Sequence, residues 1–108
     1  MNAPEEVTPT ELAALLESGD PVQLIDVRET WETEIAALPG AMVLPLTRLP
    51  ELVDAIDTEV PVIAYCHHGM RSAQAAGYLL SRGFDDVRHL AGGIDAWADE
   101  VEPQMRRY

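Results

Sequence analysis

Cys66, the chain's one cysteine, opens the stretch Cys66-His67-His68-Gly69-Met70-Arg71-Ser72. Ahead of it runs the most apolar β-branched segment, Val60-Pro61-Val62-Ile63-Ala64-Tyr65. Behind it, Arg71 to Leu80 carries Ala73, Ala75, Ala76, Leu79 and Leu80 at helical spacing. The pattern predicts a strand, a tight loop and a helix. In α/β sheets ligands bind at the carboxyl ends of strands, where the amides of a helix N-terminus attract anions. A thiol in that field should ionise more readily than a free one, because the helix dipole and Arg71 both favour the thiolate. Four residues separate Cys66 from Arg71. A sulfur ringed by backbone amides, closed by an arginine and backed by a helix can bind and attack a small anion. A lone cysteine after a buried strand is otherwise often a small hydrophobe; the glycine, arginine and serine that follow count against that reading.

His67 and His68, adjacent on a tight loop, should diverge. A joint Cys-His-His metal site is therefore not expected, and their predicted role is to shape the loop mouth and tune its field. Met70 at the mouth reads as packing, His89 within a short strand as structural, and Trp31 and Trp97 as core. Gly92-Gly93 reads as backbone clearance near the site. Asp26 and Arg28, at the carboxyl edge of an earlier strand, allow two readings. Either they line the site, or Asp26 caps the next turn while Arg28 pairs with Glu29 or Glu32 on the surface.

The elements that must position these groups follow in order. Thr8-Pro9-Thr10-Glu11 is a capping box with proline in the first turn, opening a helix to about Glu17, which Ser18-Gly19-Asp20-Pro21 ends. Val22 to Ile25 reads as a short buried strand, Thr30 to Ile35 as a weak helical turn, and Leu38-Pro39-Gly40-Ala41 as a turn into a strand at Met42-Val43-Leu44. From Thr47 to Ile56, Leu49, Leu52, Val53 and Ile56 form a helical stripe, with Arg48, Glu51 and Asp54 on the solvated side. The helix after the cysteine loop ends at Gly83, with Phe84 folding back on Leu79. Val87 to Leu90 is a last strand, and Gly92-Gly93 opens a helix from Ile94 to about Asp99. The tail from Val101 to Tyr108 has no period and is expected to be loosely held. Alternating strands and helices with short connections imply the α/β class, a mainly parallel central sheet with helices on both faces.

Residues 1–108 read as one domain with its core over about 7–99. Nineteen acidic residues against seven arginines and no lysine give a formal charge of −12. That balance argues against nucleic acid or an anionic membrane surface as partner, so an anionic substrate must be held by local amides and arginine. One cysteine excludes an internal disulfide and a multi-cysteine metal site. The first residues lack a basic and apolar leader pattern and no apolar run approaches membrane-spanning length, so the cytoplasm is the expected location.

The loop from Cys66 to Ser72 resembles the active-site loop of rhodanese-like sulfurtransferases. Leu24-Ile25-Asp26-Val27-Arg28-Glu29, Trp31-Glu32, Leu38-Pro39-Gly40-Ala41 and Leu90-Ala91-Gly92-Gly93-Ile94-Asp95-Ala96-Trp97 resemble that family's other segments, in its order, over roughly Val7 to Asp99. The chain departs from the pattern at Ala36-Ala37-Leu38, where the family usually has Gly-His-Ile. The resemblance implies a stand-alone rhodanese that needs no cofactor and no metal. Its Cys66 thiolate would take a sulfur from a small anionic donor such as thiosulfate and pass it, as a persulfide, to cyanide or a thiol. The backbone of His67, His68, Gly69, Met70, Arg71 and Ser72 would hold the anion, with Arg71 closing the ring. Two other functions share this layout. One is a persulfide carrier or sensor served by a sulfur-accepting protein. The other is a cysteine-dependent phosphatase or arsenate reductase, which the ring disfavours because phosphatase loops are one residue longer.

Overall fold

The computed structural model describes residues 4–108. Its sheet has five strands, β1 (Glu5–Val7), β2 (Gln23–Asp26), β3 (Met42–Val43), β4 (Val62–Tyr65) and β5 (Val87–Leu90), in the order β1-β5-β4-β2-β3. Every neighbouring pair is parallel. β4 is central, and all four of its residues are buried. It starts at Val62 because Pro61 has no amide to donate; the Pro61 carbonyl instead accepts from Gln23 N–H at 2.8 Å.

The helices are α1 (Pro9–Ser18), α2 (Thr30–Ile35), α3 (Leu49–Leu52), α4 (Met70–Ser81) and α5 (Gly93–Glu100). Residue alternation along the strands divides the core in two. Ile25, Val62, Ala64 and Val87 pack with Leu49 of α3 and with Ala75, Ala76 and Leu79 of α4. Leu24, Ile63, Tyr65 and Leu90 pack with Leu12 of α1 and with Ile94 and Trp97 of α5. Helices therefore cover both faces, as a parallel sheet requires.

The capping box at Thr8 forms in both directions, Glu11 N–H donating to Thr8 Oγ1 at 3.1 Å and Thr8 N–H to Glu11 Oε1 at 2.9 Å. The stripe from Thr47 to Ile56 buries Leu49, Val53 and Ile56 as its period predicts, yet it is not one helix. Pro50 cannot donate into the helical ladder, so the segment divides into a 3-10 turn at Leu46–Arg48, α3, and a second 3-10 turn at Val53–Ala55. β1 has no counterpart in the sequence pattern, because an edge strand of three residues with only Val7 buried shows no alternation. Among the described residues, no helix is long and apolar enough to cross a membrane.

Candidate active site

β4 delivers Cys66 to the carboxyl end of the sheet, with 1% of its surface exposed. The chain then turns through Gly69, whose φ of 118° lies in the region that favours glycine, and enters α4. This turn aims two amides at the sulfur. Gly69 N–H donates to Sγ at 3.0 Å and Ser72 N–H at 3.3 Å, with Ser72 Oγ at 3.5 Å. The loop's own carbonyls are held from the other side by α5: Ile94 N–H donates to the Cys66 carbonyl at 2.8 Å and Asp95 N–H to that of His67 at 3.1 Å. A Cβ on Gly93 would lie 2.3 Å from the His67 carbonyl oxygen, so Gly93 is indeed a clearance device. Above the sulfur is an open pocket of about 320 Å³ lined by Cys66, His67, His68, Met70, Arg71 and Gln74.

Behind this loop lies a chain of charges. Asp26 and Arg28 are both fully buried and joined by two hydrogen bonds, Nε to Oδ1 at 2.9 Å and Nη2 to Oδ2 at 2.7 Å. Asp26 also accepts from Arg28 N–H, which is the cap expected of it, but Arg28 is not on the surface and its carboxylate partner is neither Glu29 nor Glu32. It spends its remaining donors on the Glu32 and Ala36 carbonyls and on the Tyr108 hydroxyl. A buried guanidinium needs all these acceptors to offset its desolvation. Burial alone would lower its pKa, but the bonds to Asp26 and Tyr108 outweigh that and raise it. Glu32 instead pairs with Arg71, at 2.6 and 2.8 Å, and accepts from the Tyr108 hydroxyl at 2.8 Å. Arg71 thus lines the pocket while fixed to α2, a partner that residue spacing alone does not reveal.

Three expectations need correction. His67 and His68 do not diverge; their rings stack with centroids 3.9 Å apart, and the Tyr108 ring stacks on His67 at 3.9 Å. Trp31 is not core but 60% exposed, meeting the Tyr108 ring edge-on at 5.9 Å. The tail is not loose. Val101, Met105 and Tyr108 pack on the core beneath α1 and α5, and Arg107 reaches Asp95 and Asp99, each at 2.6 Å. Its signal in the sequence is compositional, two arginines and a tyrosine set against an acidic helix. Trp97 is buried as expected, and Met70, 79% exposed, stands at the pocket rim.

The Glu32 carboxyl is lowered to about 2, chiefly by the Arg71 guanidinium, with help from the Glu29 amide and Tyr108 hydroxyl against the opposing effect of burial. Because its pKa is lower folded than unfolded, its contribution is complete above its ordinary value of 4.5 and is lost as pH falls through about 2. With Arg71 partly solvated, we expect a loss on the order of 2 kcal/mol across that window. Denaturant titrations between pH 5 and 2 should show Glu32→Gln less stable than the parent at the upper end and the two converging at the lower. Parallel curves would contradict the assignment.

The five-stranded parallel sheet with a cysteine loop at the end of its central strand defines a class. The rhodanese-like domain family model matches residues 8–100, and the chain belongs to that family. A rhodanese-like domain protein from Staphylococcus aureus of known structure superposes with a TM-score of 0.83 at 32% identity, covering 90% of this chain and 94% of that one. The thiosulfate sulfurtransferase GlpE of Pseudomonas fluorescens is 34% identical over 93 residues, 86% of this chain and 84% of the relative. The probable adenylyltransferase/sulfurtransferase MoeZ of Mycobacterium tuberculosis is 38% identical over 104 residues, 94% of this chain. The chain spans about a quarter of that relative, 26% of its length.

Proposed function

We propose that the chain is a sulfurtransferase whose nucleophile is Cys66. The observation that carries the reading is a buried sulfur receiving the Gly69 and Ser72 amides at the N-terminus of α4, beneath a pocket lined by Arg71. Relatives named as sulfurtransferases support an enzyme of that kind. With thiosulfate as donor, the thiolate attacks the outer sulfur. A bond forms to Sγ as the donor's S–S bond breaks, and sulfite leaves with the electron pair. The resulting persulfide anion takes over the two amide donors, which are already oriented. Cyanide or a thiolate then attacks the outer sulfur and returns Sγ to the thiolate. A sulfur-accepting protein is the second reading, favoured by the exposure of Met70 and Trp31.

Thiocyanate formation from thiosulfate and cyanide tests the first reading, with an aryl phosphate as the contrasting substrate. Turnover of the phosphate ester but not of thiosulfate would overturn it. Arg71→Ala should lower kcat/KM for thiosulfate by about tenfold to a hundredfold, the scale of losing one charge-assisted contact to an anion. Its stability should fall less, because Glu32 keeps the Glu29 amide and the Tyr108 hydroxyl. Equivalent losses in both would show that the arginine is mainly structural.

A further inference from the structure

Ser72 touches more than the sulfur. Its Oγ lies 3.5 Å from Cys66 Sγ, 3.2 Å from the Gly69 carbonyl oxygen and 3.2 Å from His89 Nδ1, and Ser72 and His89 are both buried. On the far side of the ring, Nε2 lies 3.8 Å from Glu6 Oε2. Register explains the alignment: β5 runs between β4 and β1, so His89 is opposite Ala64 on one side and Glu6 on the other. A line of groups therefore joins the nucleophile to a surface carboxylate through one hydroxyl and one imidazole.

We propose that His89 is the proton partner of Cys66, acting through Ser72 as a positioning residue. The proposal rests on Cys66 being the nucleophile. A hydroxyl has one proton and three acceptors within reach, so the neighbour that can donate to it decides where that proton points. Neutral His89 has a single N–H, which the Glu6 carboxylate draws to Nε2, leaving Nδ1 to accept from Ser72; the Oγ lone pairs then face the thiol. Imidazolium reverses this. Nδ1–H donates to Oγ, and the serine proton turns to a thiolate. The step balances internally. The S–H bond breaks as Oγ takes its proton, and the serine's own O–H bond breaks as Nδ1–H forms. Thiol and imidazole become thiolate and imidazolium with no proton gained or lost.

Among the described residues, Glu6 on β1 is the charged group bearing on the ring, and Arg71 on α4 attracts the sulfur when it is ionised. Burial lowers the His89 pKa, and the Glu6 carboxylate, which favours the protonated ring, works against that. His67 and His68, stacked on one another, have no hydrogen bond to the sulfur, which leaves His89 as the imidazole linked to it.

The test is the pH dependence of Cys66 alkylation by iodoacetamide, which reads thiolate directly and needs no sulfur donor, so it stands apart from any failure of thiosulfate turnover. Asparagine keeps an amide donor beside Ser72 but cannot titrate. His89→Asn should be alkylated about tenfold more slowly than the parent at pH 6, the scale of losing one nearby opposite charge, and equally fast above pH 9. Superimposed curves would overturn the proposal. Should that variant fold poorly, Ser72→Ala breaks the same line at the hydroxyl while keeping the Ser72 amide on the sulfur. Its alkylation at pH 6 should also slow by about tenfold and match the parent above pH 9. An unchanged rate at pH 6 would equally overturn the proposal.

Discussion

Cys66→Ser is expected to lower sulfur transfer by at least about a thousandfold while leaving the fold intact. Serine is close to cysteine in size, and the two amides and one hydroxyl around Sγ can hydrogen-bond its oxygen, which offsets the loss of sulfur from the core cluster that Cys66 joins. A hydroxyl at this position is a poor nucleophile and cannot carry a sulfane sulfur. The measurement is thiocyanate release alongside circular dichroism and thermal unfolding. Retained activity would remove Cys66 from the mechanism, and loss of the folded signal would show that the thiol serves packing first.

Arg28→Met should destabilise the protein by about 3–5 kcal/mol, because it leaves Asp26 charged and unpaired in the interior. Both side chains are fully buried, and the guanidinium also satisfies the Glu32 and Ala36 carbonyls and Tyr108. Asp26→Asn in the same chain removes the stranded charge and should recover part of that loss. Urea unfolding of the two single variants and the double variant gives the coupling. Simple additivity would mean that the pair does not act as a unit. Because Arg28 links β2, α2 and Tyr108, and Tyr108 bonds the same Glu32 that holds Arg71, the single variant should also raise KM for an anionic donor.

What the sequence shows and what it hides divide along physical lines. The capping box at Thr8, the apolar strand before Cys66 and the glycine pair at 92–93 are local devices, each complete within a few residues, and all three form as read. The loop residues are legible because an amide cradle needs a glycine turn, a helix start and a thiol in one short run. The rest depends on partners distant in sequence. Arg71 finds Glu32 across 39 positions, Arg28 finds Tyr108 across 80, and Ser72 finds His89 across 17. No periodicity reports such meetings. The tail is hidden for the same reason. It has no helical or strand period, yet Tyr108 stacks on His67 and bonds Arg28 and Glu32. Trp31 deceives in the opposite direction, since an aromatic usually signals core and this one lies 60% exposed beside Tyr108.

A sulfurtransferase with Cys66 as nucleophile must carry a transferable sulfur on that residue. Intact-protein mass spectrometry after incubation with thiosulfate, before and after cyanide and with Cys66→Ser alongside, is the decisive experiment. The expected result is a gain of about 32 Da, one sulfur on the cysteine, which cyanide removes and the serine variant never shows. A gain that persists in Cys66→Ser, or that cyanide leaves in place, would contradict it.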